Sequence, residues 1–102
     1  MKGSLFVVIL RYLAGDAVVD EYRTAHVEHL YKFYESGHLL ISGKQKPGYG
    51  GVILARGKDR EEIEQIMFLD PFFSNKVAEF QIFEFTPARS IKELEFLVNA
   101  NA

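Results

Sequence analysis

His26 and Asp70 are the two side chains of this 102-residue sequence best suited to moving a proton. A carboxylate that holds one imidazole nitrogen fixes the tautomer and supports the other nitrogen as a base. His26 lies in Tyr22-Arg23-Thr24-Ala25-His26-Val27-Glu28-His29-Leu30, which reads as the middle of an amphipathic helix. At about 100° per residue, Val19 and Phe33 fall about 20° to either side of His26, and Leu30 and Tyr22 about 40°. The helix therefore points an imidazole where a leucine would cost less. A buried ring without a hydrogen-bond partner costs about 1 kcal/mol or more. Asp70 continues the apolar face that Ile63, Ile66 and Met67 mark on a second helix, and Pro71 ends that helix. The spacing predicts Asp70 at that helix's C-terminus, where the macrodipole disfavours a carboxylate. It then needs a cationic or hydrogen-bond-donating partner, and His26 and Arg23 are the candidates. The plainer reading makes Asp70 a turn former before proline and His26 a satisfied core histidine.

Other constellations carry less. His26-x-x-His29 has the spacing to put two imidazoles on one metal, with Asp70 or His38 as a third ligand. The pattern is permissive, and we assign no metal. Ser42 is the one candidate nucleophile. Lys46-Pro47-Gly48-Tyr49-Gly50-Gly51 lacks the strand–loop–helix setting of a phosphate loop and reads as a hairpin beside the pocket. No cofactor motif is recognised. Tyr22, Phe33, Phe72 and Phe73 have the character to line an aromatic cavity, although plain core is the simpler account of each.

The elements that must position these residues follow from patterning. Leu5–Leu10 is a continuous apolar run and reads as a central strand buried on both faces. In a chain this short, a second copy of the same sheet is the simplest cover for the face that helices leave open. Asp16 or Asp20 can cap the first helix, which runs to about Ser36, with Gly37 as its C′ residue. Residues 38–43 and 52–56 read as strands of one hairpin around 44–51. Asp59 caps the second helix, Arg60 to about Leu69, with Glu61 and Glu62 suiting its positive end. Phe72 and Phe73 follow in a loop. Residues 79–85 form a fourth strand, ended by Pro87, and residues 90–98 keep the spacing of a short terminal helix. The order β-α-β-β-α-β is the ferredoxin-like, split βαβ pattern: an antiparallel four-stranded sheet with its helices on one face. We read residues 1–102 as a single domain, with a core of about 5–87 and a helical tail of about 88–102.

Composition sets the outer limits. Hydrophobic residues make up 48% and charged residues 25%, ordinary for a globular domain. A net charge of −2 offers no electrostatic footprint for nucleic acid or an anionic membrane. There is no cysteine, hence no disulfide framework and no thiolate chemistry. The first apolar run holds Arg11 and Tyr12, is too short to span a bilayer, and lacks the cleavage pattern of a signal peptide. The expected location is the cytoplasm.

Four motifs in order carry a resemblance to a known family. They are Arg23-x-x-His26, then Gly37-x-Leu39-x-x-Ser42-Gly43, then Gly50-Gly51 before a strand, then Asp70-Pro71-Phe72 before the last strand. Over residues 5 to 87 the chain resembles the YciI-like (YCII-related) family, which is similar to dimeric α+β barrels of the muconolactone isomerase type. The resemblance implies a ferredoxin-like fold, a homodimer and an active site built around a His–Asp pair. By motif match His26 and Asp70 take those roles, Arg23 is the arginine one turn earlier, and Ser42 lines the same pocket. Members often carry prolines where this chain has Thr24 and Lys44, so the loops near its pocket depart from the family pattern.

Two functions from different classes follow as expectations. The first is a cofactor-free enzyme of lyase or isomerase type. His26 would act as general base or acid on a small cyclic or aromatic substrate, Asp70 would orient it, and Arg23 would hold an anionic group. The second is a non-catalytic small-molecule-binding or sensing dimer using the same pocket. A third reading makes the pair a structural clasp. Solvent access to the free nitrogen of His26 separates the clasp from the other two.

Overall fold

The computed structural model describes residues 3–99. Strand β1 (Ser4–Tyr12) leads into helix α1 (Asp16–Glu35), then strands β2 (Leu39–Lys44) and β3 (Gly50–Gly57). Helix α2 (Arg60–Phe68), a single-turn helix α3 (Pro71–Ser74) and strand β4 (Ala78–Phe85) complete the core, and a 3-10 helix spans Lys92–Leu97. The strands lie in the order β2-β3-β1-β4, antiparallel throughout. The fold is the expected ferredoxin-like one, with the helices on one face of the sheet.

The period-2 alternation of strands sorts residues between faces. Phe6, Val8 and Leu10 of β1, Ile53 and Ala55 of β3, and Ala78 and Ile82 of β4 are buried on the helix side, against Val19 and Leu30 of α1 and Ile63, Ile66 and Met67 of α2. On the other face Val7 and Ile9 are half-buried. The expectation that β1 is buried on both faces therefore holds throughout the helix face but on the other face only at Leu5 within a single chain.

Several boundaries depart from the pattern-based reading. Gly15 rather than Asp16 or Asp20 is the N-cap of α1, and no side chain caps it. Asp59 does cap α2, its carboxylate accepting from the Glu62 amide at 2.9 Å. Gly37, at φ +82°, takes the left-handed C′ position after α1 that glycine alone adopts without strain. Residues 72 and 73 are helical rather than loop, because α2 ends at Phe68 and the chain restarts a helix at Pro71. The tail is a 3-10 helix, anchored by buried Leu97 and by Arg56 lying over the Phe96 ring at 5.7 Å. The last three residues of the expected tail lie outside the described residues. Among those described, no helix is long and apolar enough to cross a membrane.

Candidate active site

The imidazole of His26 meets the carboxylate of Asp70 across 44 positions of sequence. Nδ1 lies 2.9 Å from Oδ1 and 2.7 Å from Oδ2. A carboxylate can only accept, so Nδ1 carries the proton. Nε2 has no hydrogen-bond partner among the described residues, yet it is not sealed from solvent. Asp70 is completely buried and His26 is 8% exposed.

Asp70 is not the terminal residue of an unfavourable helix end. It is the N-cap of α3, where Oδ1 also accepts from the Phe72 amide at 2.9 Å. The expected repulsion from the end of α2 is thus replaced by attraction at the start of another helix. Pro71 suits this arrangement, since the first helical position needs no amide proton. Phe72, one residue further, stacks face to face on the His26 ring, with centroids 3.9 Å apart and planes 6° from parallel. Tyr12 meets Phe72 edge-on at 5.9 Å. The short helix therefore supplies both the hydrogen bond and the wall that fix the imidazole.

A cleft of about 140 Å³ opens over His26 between α1 and the ends of β2 and β3. Arg23 and Ser42 line it, as the sequence motifs imply, while Asp70 lies behind His26. Arg23 sits on the rim rather than against Asp70. Its Nε donates to Asp20 Oδ1 at 3.1 Å. That bond is the main reason its guanidinium is raised further above its ordinary value, against a lowering by burial, with Tyr12 adding to the rise. Ser42 shares a short hydrogen bond with the Tyr34 hydroxyl. The apolar walls are Leu10, Val27, Leu30 and Ile53, and Gly51 leaves part of the floor as bare backbone.

The other histidines are turned elsewhere. His29 Nε2 donates to the Ile66 carbonyl at 2.8 Å. Burial is the main cause that lowers its pKa below 6.5, while the Asp70 charge and the Ile66 bond act to raise it. His38 Nδ1 is 2.7 Å from Ser36 Oγ, and its Nε2 is 3.3 Å from Glu62. The His26–His29–Asp70 or His38 ligand set considered from spacing is not assembled. Tyr22 and Phe33 pack against the core, and Phe73 is exposed, so of the four aromatic residues only Phe72 reaches the His26 ring.

Tyr12, Tyr34 and Lys44 are the residues that reading the sequence missed. Alternation held the signal for two of them. Tyr12 follows Phe6, Val8 and Leu10 on the helix face of β1, and Lys44 follows Ser42 on that of β2. Tyr34 lies two turns beyond Val27 on α1 and gives no comparable sign.

The fold and site together define a ferredoxin-like α+β domain with a buried His–Asp pair under a small cleft. The model of the YCII-related domain matches residues 5–86, and the chain belongs to that family. No curated protein matches it. Among solved structures it is similar to 5-chloro-2-hydroxyhydroquinone dehydrochlorinase from Burkholderia phenoliruptrix AC1100, in complex with 2,5-dihydroxybenzoquinone. The TM-score is 0.70 at 15% identity, covering 82% of this chain and 95% of the other. That similarity is one of fold.

Proposed function

We propose that this chain is a cofactor-free enzyme that moves a proton on a small cyclic or aromatic substrate, in a reaction of lyase or isomerase type. One observation carries the reading: an imidazole clamped through Nδ1 by a buried carboxylate lines an open cleft, with Nε2 left without a partner among the described residues. In that state Nε2 holds a lone pair and accepts a proton from a carbon acid next to a carbonyl, or returns one to a leaving group. Asp70 holds the tautomer and stabilises the imidazolium that forms. Arg23 offers its outer nitrogens to an anionic group, and Ser42 hydrogen-bonds a substrate oxygen. The fold neighbour is by name a dehydrochlorinase with a quinone bound, which supports elimination chemistry on a ring of similar size. A clasp would have no need of the opening. A sensing protein would use the same pocket, and His26→Ala separates it from an enzyme, weakening binding in one case and abolishing turnover in the other.

The test is a long-range ¹H–¹⁵N spectrum of the imidazoles, with 2,5-dihydroxybenzoquinone as the first probe and a panel of hydroxylated cyclic acids for turnover. His26 should carry its neutral-state proton on Nδ1, and the probe should shift its Nε2 signal. Asp70→Asn should move the proton to Nε2 and lower any turnover by about a thousandfold or more, as in dyads that lose their orienting carboxylate. A wild-type ring protonated on Nε2, or one untouched by the probe and every panel member, sinks the reading.

We infer further that two copies pair through the open sheet face. Val7 and Ile9 are half-buried there, while Ile41 is 65% and Phe83 50% exposed. An isologous pairing of two such faces removes both from water. His26 lies on the opposite side of each sheet.

A further inference from the structure

We propose that the cleft over His26 is a subsite for a ring-bearing carboxylate, with Lys44 as the residue that, together with Arg23, selects for negative charge. This rests on the functional reading above and names its substrate class. The chain as a whole is acidic, with 14 Asp and Glu against 12 Lys and Arg. Yet the charged residues lining the cleft are Arg23 and Lys44, and no Asp or Glu is among the lining residues. Asp70 is fully buried behind His26, with both oxygens hydrogen-bonded, and does not line the cleft. Asp20 engages Nε of Arg23, and the guanidinium also interacts with Tyr12, which lines the same cleft.

Lys44 has no ion-pair partner among the described residues. It stands on the helix face of β2, the same face as Ser42 and opposite Gly51. Its stem lies over Gly48, where an added Cβ would come within 2.9 Å of Lys44 Cε. The bare glycine thus gives the lysine room to lie along the hairpin at the cleft edge. A cation kept unpaired at a pocket rim lowers the cost of bringing in an anion and repels cationic competitors.

Size and lining complete the class. A cavity of about 150 Å³ holds a benzene ring, and this cleft is of that size at about 140 Å³. Leu10, Leu30 and Ile53 offer apolar contact to a ring, and Arg23 and Lys44 line the same cleft. A ligand held this way carries its acidic C–H or leaving group toward Nε2 of His26.

The experiment compares benzoate with benzamide, which share shape and differ in charge, by NMR titration of the full chain. Benzoate should shift the His26 Nε2 signal and the amides of Gly43 and Gly51, and benzamide should bind about tenfold more weakly or worse. Lys44→Gln and Arg23→Gln should each weaken benzoate about fivefold and leave benzamide unchanged. About 0.5 M sodium chloride should weaken benzoate alone. Equal affinity for the two probes, indifference to both substitutions, or no benzoate shift at the solubility limit would each overturn the subsite. The same spectra report the His26 tautomer. A bare Nε2 with no benzoate binding therefore removes the subsite alone, whereas a protonated Nε2 removes the acid–base reading beneath it.

Discussion

Asp70 shows how one side chain can serve two elements. Its carboxylate accepts from the His26 ring and from the Phe72 amide, so a fully buried charge is met by donors on both oxygens. Without such donors, desolvating it would cost several kcal/mol. His29, one turn along α1, carries a separate consequence. Burial is the main cause that depresses its pKa below 6.5, against the opposing charge of Asp70. The folded chain therefore binds this proton less readily than the unfolded chain. The stability it contributes is full above the unfolded value of 6.5 and is lost as pH falls through the folded one. Calorimetric melting should fall on acidification from about pH 7.5 to about pH 5.5. His29→Gln keeps a donor for the Ile66 carbonyl and removes the titration, so it should flatten that slope. An unchanged slope would assign the acid sensitivity to other groups.

At the scale of elements, α3 is the part that makes α1 useful. Four residues long, it would not persist alone. It is held by its Asp70 cap and by Phe72, which is fully buried between His26 and Tyr12. Phe72→Ala should destabilise the chain by about 3 kcal/mol or more, from the cavity and the lost stacking. Chemical denaturation measures this, and loss of the single sharp His26 imidazole signal should accompany it. A variant that loses stability but keeps a sharp signal with the wild-type tautomer would show that Asp70 alone positions the ring. Gly50, Gly51 and Lys44 of the hairpin also line the cleft. Helix α3 thus holds the imidazole, and the hairpin lines the cleft beside it.

For the whole molecule, the arrangement leaves one sheet face with its apolar residues only partly covered. If that face pairs with a second copy, light scattering should give twice the chain mass. Phe83→Glu, which places a charge on that face beside Val7, should give a monomer. The His26 spectrum should change little, because the cleft lies on the other side of the sheet. A wild-type chain that runs as a monomer at all concentrations would refute the pairing.

Local patterning determined a good deal of this protein. The 3.6-residue period of α1 placed His26 among Val19 and Leu30 on the buried side, and both neighbours are indeed core. Alternation and turn residues marked four strands and their order along the chain, and Asp59 and Gly37 marked helix ends that the structure keeps. The candidate site residues Arg23, His26, Ser42 and Asp70 were legible because each stands in a short motif of its own. What they do to one another was decided only in three dimensions. Periodicity extrapolated α2 through Asp70 and so put the carboxylate at the wrong kind of helix end. The chain instead breaks at Leu69 and restarts at Pro71, because the restart lets one carboxylate satisfy both an orphan amide and an imidazole from α1. Arg23 on the rim, Ser42 tied to Tyr34, and Tyr12 and Lys44 at the same opening likewise depend on how separate elements pack. A local period says which way a side chain faces along its own element. The distance to a group dozens of residues away is set by the sheet order and by the packing of helices across it.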